Sequence, residues 1–349
     1  MTANWIRLRV FADDLDEWGG GRFDVVSWDP RGTNASTRVY CFRNARSESH
    51  FWAGQTIPTT NAASKPFARK LASLARRCGE VSGWLLPHIS TADTTRDLDH
   101  LRVLMGEEKL TYFGLSYGTY IGQTYANMFP NRIRAMLLNS VIDPTKWSKD
   151  AEARTASLME STDEVYDQFL SRCERAGPQR CALAGGGQTA AERFERLSRR
   201  LRRAPIPAPG VVPPLSSPQK LTYGDMLISQ GAVAQFPEMW PENAANLAAA
   251  LRGDGSALES ALPVFKDPAS WGAAATTAAI SCADAPAKRS LSAWPKVIRR
   301  FNDVSSLKGL VGWAGWGPLR GVARSRRGQL PRSVDRHHTQ PDPALQQAL

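Results

Sequence analysis

The sequence predicts an α/β fold: a doubly wound, mostly parallel sheet with an inserted helical lobe. Three observations predict it. Short apolar strands alternate with helices up to residue 143, a strand-to-helix turn of the form G-x-S-x-G occupies 114–118, and helices without intervening strands follow from residue 144 onward. The alternation points to a parallel sheet, because each parallel strand needs a crossover helix before the next can begin.

The elements follow in chain order. Phe23-Asp24-Val25-Val26-Ser27-Trp28 is a β-rich run closed by the turn cluster Asp29-Pro30-Arg31-Gly32, and it reads as a buried parallel strand. A helix begins after Ser90 or Thr91, carries Leu98, Leu101, Leu104 and Met105 at helical spacing, and ends at Gly106. Leu110 to Phe113 is a second strand, Gly114 to Gly118 a turn, Tyr120 to Phe129 a helix stopped by Pro130, and Ile133 to Leu138 a third strand. Helices are expected over Ala153–Cys173, Ala190–Arg203, Leu221–Phe236, Ala244–Leu251, Trp271–Ala283 and Ala293–Asn302, with a Pro-rich linker from Pro205 to Pro218. The expected division is a core over 1–145, a helical lid over 146–290, a return to the core over 291–315 and an Arg-rich tail over 316–349.

Composition narrows the functional classes. At 349 residues and 42% apolar content the chain can fill a sizeable core. Of the net charge of +11, the stretch from Pro318 supplies +4, from six Arg and two Asp, so the rest is only mildly basic. With no RNA-binding signature, zinc-ligand spacing or phosphate loop, neither a nucleic-acid partner nor a metal or cofactor is expected. Arg199-Arg200-Leu201-Arg202-Arg203 could touch an acidic partner, although a solvated helix face is the ordinary meaning of such a run. No stretch of 18 apolar residues exists, so no membrane span is expected, and Met1 to Val10 lacks the apolar stretch of a signal peptide. The five cysteines, Cys41, Cys78, Cys173, Cys181 and Cys282, include no CxxC pair. Cys173 and Cys181 flank the turn-forming Gly177-Pro178, a spacing that suits a small disulfide loop in preference to scattered buried thiols.

Gly114-Leu115-Ser116-Tyr117-Gly118 carries the chemistry. It lies directly after a strand and before a helix, the context that gives G-x-S-x-G its meaning as the nucleophile elbow of an α/β-hydrolase. The sharp turn strains the serine backbone, Gly114 and Gly118 let neighbouring backbone pass close by, and Ser116 is presented as the nucleophile. The Tyr117 backbone N–H then stands at a helix N-terminus, able to donate to the oxyanion of a tetrahedral intermediate. A serine also needs a base and a carboxylate that orients it. Only His337 and His338 follow Ser116, with Asp335 too near them for the usual arrangement; Asp143 could be the acid, or simply open the turn at Pro144.

These residues resemble a known family, the secreted tripeptidyl aminopeptidases and related actinobacterial proteases of the α/β-hydrolase class. The resemblance rests on Arg22 to Val26 running through Asp29-Pro30-Arg31-Gly32, on Leu85 to Asp93, on Arg96-Asp97-Leu98-Asp99 leading into Gly114 to Tyr120, and on Ala278 to Pro286; it covers about residues 17 to 315. It implies a serine peptidase that removes short peptides from free N-termini, with Ser116 as nucleophile and a helical lid limiting substrate entry. It implies an extracellular or cell-surface location and a peptide or small ester substrate, and leaves the oligomeric state open. It also implies an acidic group that captures the substrate amine; Asp284 and Glu160 are the carboxylates to screen, although structural or solvated roles are favoured for both.

Two departures from the family follow. A His-Gly-Gly-Pro-Gly-like loop that would supply a second oxyanion donor does not occur after Met1-Thr2-Ala3-Asn4, and loss of one such donor costs about 10²–10³ in kcat. After Gly312-Trp313-Ala314-Gly315 the family continues with a cysteine, a strand ending in the triad Asp and a loop with the triad His, whereas here Trp316-Gly317-Pro318-Leu319-Arg320 follows. The resemblance pairs Cys41 with Cys78 and Cys173 with Cys181, leaving Cys282 outside both pairs. The expectation is a truncated or frame-shifted reading whose sheet lacks its last strands and whose activity is in question. Two other readings stand beside the aminopeptidase: an esterase on the same elbow, and a non-catalytic binding protein on a hydrolase scaffold.

Overall fold

A computed structural model describes residues 17, 19–52, 60–149, 151–211, 220–233, 236–260 and 268–285. Its centre is a strand–helix–strand unit whose ends are written in local sequence. Helix α1 spans Ala45–Trp52 and helix α2 spans Asn61–Ser82, the latter opened by Thr60, whose hydroxyl accepts from the Ala63 N–H. After a short 3₁₀ turn at Leu86–His88, helix α3 runs Thr91–Leu104 behind a capping box in which Ser90 and Asp93 satisfy each other's backbone N–H groups. Strand β1 is Leu110–Leu115, helix α4 is Tyr117–Met128, and strand β2 is Ile133–Asn139. The two strands pair in parallel, with Tyr112 opposite Met136 and Gly114 opposite Leu138. α4 is the crossover this pairing requires, and Ile121 and Tyr125 on its inner face join Leu98, Leu110 and Tyr112 in one buried cluster.

Helices α5 (Pro144–Lys149), α6 (Ala151–Ala176) and α7 (Ala190–Arg203) follow, then a two-stranded antiparallel ribbon of β3 (Ile206–Pro207) and β4 (Lys220–Leu221). Helices α8 (Tyr223–Val233), α9 (Trp240–Arg252), α10 (Ser256–Ser260) and α11 (Pro268–Asp284) complete the described chain. Residues from α6 to α10, among them Tyr166, Phe169, Leu197, Met226 and Leu247, form a second buried cluster of their own. α11 belongs elsewhere: Ala275, Ala278, Ala279 and Ile280 pack with Val39, Phe67 and Ile89 in a third cluster. Among the described residues no helix is long and apolar enough to cross a membrane.

Disulfides tie both regions. Cys41 is joined to Cys78 of α2, and Cys173 to Cys181 across the loop after α6. One sequence expectation fails: residues 22–30 form no strand, and Phe23, Val25 and Val26 are exposed by 54%, 40% and 48%. A β-rich run becomes a strand only when a neighbouring ladder takes up its N–H and C=O groups, and the described parallel sheet contains only β1 and β2. Part of the expected Pro-rich linker is instead β3. The Ala293–Asn302 helix, residues 316–349, Asp335, His337 and His338 lie outside the described residues.

Candidate active site

The β1–α4 turn imposes an unusual backbone on Ser116, with φ 53° and ψ −118°. Such positive-φ geometry is sterically costly for a residue with a Cβ and persists only where surrounding structure enforces it. Enforcement is visible here. The Ser116 N–H donates to the Asn139 carbonyl at 3.1 Å, locking the turn to the end of β2. The Ser116 carbonyl accepts from the Thr119 N–H at 2.9 Å and the Thr119 hydroxyl at 2.7 Å. A serine at a helix N-cap ordinarily turns its hydroxyl onto the helix amides, but Ser116 makes no such bond, and its side chain is exposed. The Tyr117 N–H, at the first position of α4, belongs to the group of helix donors that the helix itself cannot satisfy.

Close packing explains Gly114. A Cβ on Gly114 would stand 2.6 Å from the Gly118 carbonyl oxygen and 2.8 Å from Tyr112 Cε1. Gly118 is less constrained sterically, with only Tyr112 Oη near its Cβ position at 3.4 Å, and that hydroxyl donates to the Gly118 carbonyl at 2.9 Å. Gly122, to which sequence reasoning gave no role, is crowded by side chains: a Cβ there would meet Leu138 Cδ2 at 2.8 Å and Tyr112 Cε1 at 2.9 Å. Its signal was available, since Gly118 and Gly122 are four residues apart and so share a helix face.

The turn cluster before α1 is fixed to α3. Arg31 donates from Nε to Asp97 Oδ2 at 2.6 Å, from Nη2 to Asp97 Oδ1, and from Nη1 to the His88 carbonyl at 2.8 Å. Beneath α4, buried Asp99 accepts from Tyr125 Oη at 2.9 Å, from Arg102 Nε at 3.0 Å and from Arg132. Burial, together with the hydrogen bond to Asp99, pushes the Tyr125 phenol up to about 12.

Asp143 takes the turn role. Its Oδ1 accepts from the Thr145 N–H at 2.8 Å, the Thr145 hydroxyl at 2.7 Å and the Lys146 N–H at 3.2 Å at the start of α5; the Thr145 bonds foremost hold its carboxyl below the usual range. Asp284 is likewise engaged: Oδ1 accepts from the Thr91 N–H at 2.8 Å, and Oδ2 accepts from the Thr91 hydroxyl at 2.6 Å and from Trp147 Nε1 at 3.2 Å. Thr91 and Trp147 are the participants that sequence reasoning missed. Glu160 is exposed on α6. His50, His88 and His100, all preceding Ser116, are exposed.

A cleft of about 440 Å³ is lined by Arg196, Arg199, Arg200 and Arg203 of α7 together with Pro205 and Ile206. The basic run is partly engaged within its own helix, since Arg202 pairs with Glu195 at 3.2 Å. Among the described residues no three His, Cys, Asp or Glu side chains group as metal ligands.

A family model described as alpha/beta hydrolase fold matches residues 1–209. The chain is 30% identical over 282 residues to a tripeptidyl aminopeptidase of Streptomyces lividans, covering 78% of this chain and 49% of the relative. It is 28% identical over 273 residues to the serine protease Hip1 of Mycobacterium tuberculosis, covering 76% and 51%. A carboxylesterase B of Mycobacterium tuberculosis matches at 26% over 300 residues, covering 81% and 53%. The chain thus spans about half the length of the curated relatives it matches.

Proposed function

The chain belongs to the alpha/beta hydrolase fold family, and from that premise we propose that it carries the nucleophile of a serine peptidase that releases short peptides from free N-termini. The observation that carries this reading is the positive-φ backbone of Ser116 in the β1–α4 turn, with its hydroxyl exposed and withheld from the helix. In the proposed reaction Ser116 Oγ attacks the scissile carbonyl, and the Tyr117 N–H receives the developing oxyanion. Collapse of the tetrahedral intermediate expels the amine and leaves an acyl-Ser116, which water then hydrolyses. The base that takes the Ser116 proton is to be sought outside the described residues; single Ala substitutions at His337 and His338 test both candidates there. The peptide preference follows the names of the aminopeptidase and serine protease relatives.

The helices from α6 to α10, with a core of their own, serve in this proposal as the lid that limits substrate entry. The two disulfides favour an oxidising location, outside the cytoplasm. A fluorophosphonate probe tests the nucleophile: labelling of the wild type that is lost in Ser116→Ala supports it, and labelling that survives Ser116→Ala sinks it. The relative named a carboxylesterase keeps an esterase as the second reading. Comparing a free-amine peptide anilide with a short acyl ester separates the two, because an esterase turns over only the latter.

A further inference from the structure

We infer that Asp284 is a positioning residue for the Tyr117 oxyanion donor, acting through the hydroxyl of Thr91. The inference rests on the proposed role of the Tyr117 N–H and adds to it a network joining α3, α4, α5 and α11. Asp284 ends α11, 193 residues beyond Thr91, yet its carboxylate takes both the N–H and the hydroxyl proton of that threonine. Thr91 Oγ1 also lies 2.5 Å from Tyr117 Oη. A threonine hydroxyl has one proton, and here it goes to Asp284, so the Tyr117 phenol must be the donor in the second bond. The proton order is therefore fixed along the chain Tyr117 Oη–H, Thr91 Oγ1–H, Asp284 Oδ2. Burial, and next the Asp284 charge, push the Tyr117 phenol far above its ordinary range, which keeps that donor protonated.

Helix capping alone does not account for this arrangement. Ser90 and Asp93 already close a capping box at the start of α3. What Asp284 adds is orientation of the Thr91 hydroxyl, whose remaining lone pairs face the residue immediately after Ser116. Trp147, which donates to the same Asp284 oxygen, packs against the Tyr117 ring with centroids 5.7 Å apart and against Tyr120 at 5.6 Å. Two independent contacts thus set the first turn of α4, one polar through Thr91 and one aromatic through Trp147, and Asp284 touches both of their origins.

Asp284→Asn is isosteric and tests this directly. With its amide oxygen on the Thr91 N–H, the asparagine turns its NH₂ toward the Thr91 hydroxyl and Trp147 Nε1; with the oxygen on those two donors, the NH₂ faces the Thr91 N–H. The expected result is a fall in the fluorophosphonate labelling rate of Ser116, and in kcat, on the order of 10–100-fold with little change in KM, the scale of a small misplacement of reacting groups. Thr91→Val keeps the backbone cap but removes the hydroxyl link, and covers the case in which Asp284→Asn does not fold; Thr91→Ser should restore the rate. In the Thr91→Val background, Asp284→Asn should add only what is lost through Trp147. Backbone amide resonances of Tyr117 and Gly118 in ¹⁵N spectra supply a readout that needs no turnover: they should shift in Asp284→Asn and Thr91→Val, while those around Cys173 and Cys181 stay in place. Unmoved Tyr117 and Gly118 amides in a folded variant would overturn the inference and leave Asp284 a helix cap. Wild-type protein that fails to label Ser116 would count against the peptidase reading alone, since the amide shifts still decide the network.

Discussion

Gly114 and Gly118 meet across the elbow so closely that a Cβ on Gly114 would stand 2.6 Å from the Gly118 carbonyl oxygen, whereas a Cβ on Gly118 would find its nearest atom at 3.4 Å. The two motif glycines are therefore unequal. Gly114→Ala should cost about 2–3 kcal/mol of stability, or prevent folding, because backbone must move to admit the methyl group. Gly118→Ala should cost less than half as much. Denaturant midpoints of the two variants check the order, and equal losses would refute it.

The strained backbone at Ser116 predicts a trade between stability and chemistry. Ser116→Gly should be more stable than Ser116→Ala by about 1 kcal/mol, because glycine adopts positive φ without the Cβ penalty. Both should abolish probe labelling. Thermal melts of the pair measure the difference.

The two disulfides should contribute unequally. Cys41 and Cys78 close a separation of 37 residues, and Cys173 and Cys181 one of 8, so loop-closure entropy assigns about 4 and about 2.5 kcal/mol to them. Paired Ala substitutions, assayed by chemical denaturation, should show the larger loss for Cys41 and Cys78.

Arg31→Lys should weaken the attachment of the 29–32 turn to α3. Lysine cannot reproduce the planar fork that engages both Asp97 oxygens and the His88 carbonyl. Because both partners are partly exposed, the expected loss is modest, about 1 kcal/mol, and reads out as a lower unfolding midpoint.

Alkali should unfold the protein through its buried phenols. Burial raises Tyr112, Tyr117, Tyr125 and Tyr166 above the ordinary value of 10.0, Tyr125 to about 12. A raised folded-state value means that the native state holds protons the unfolded chain gives up, so this stability is intact below pH 10 and is lost as pH climbs through about 12. Absorbance titration should show these four of the seven tyrosines ionising together with loss of structure.

What the sequence determined by itself is local: the G-x-S-x-G turn between strand and helix, the start of α3 behind Ser90, the crossover helix with its flanking strands, and the loop bridged by Cys173 and Cys181. These rest on glycine conformational freedom, capping and side-chain periodicity, which neighbouring residues settle among themselves. Tertiary structure decided the rest. It left Phe23 to Trp28 without a ladder, put a threonine hydroxyl between Asp284 and Tyr117, and crowded Gly122 with the side chains of Leu138 and Tyr112. The partners in the Arg31–Asp97 clamp and the Thr91–Asp284 contact stand 66 and 193 residues apart, and no periodicity links them. Such contacts form only when packed helices bring their ends together, and burial then requires each polar group to find a partner.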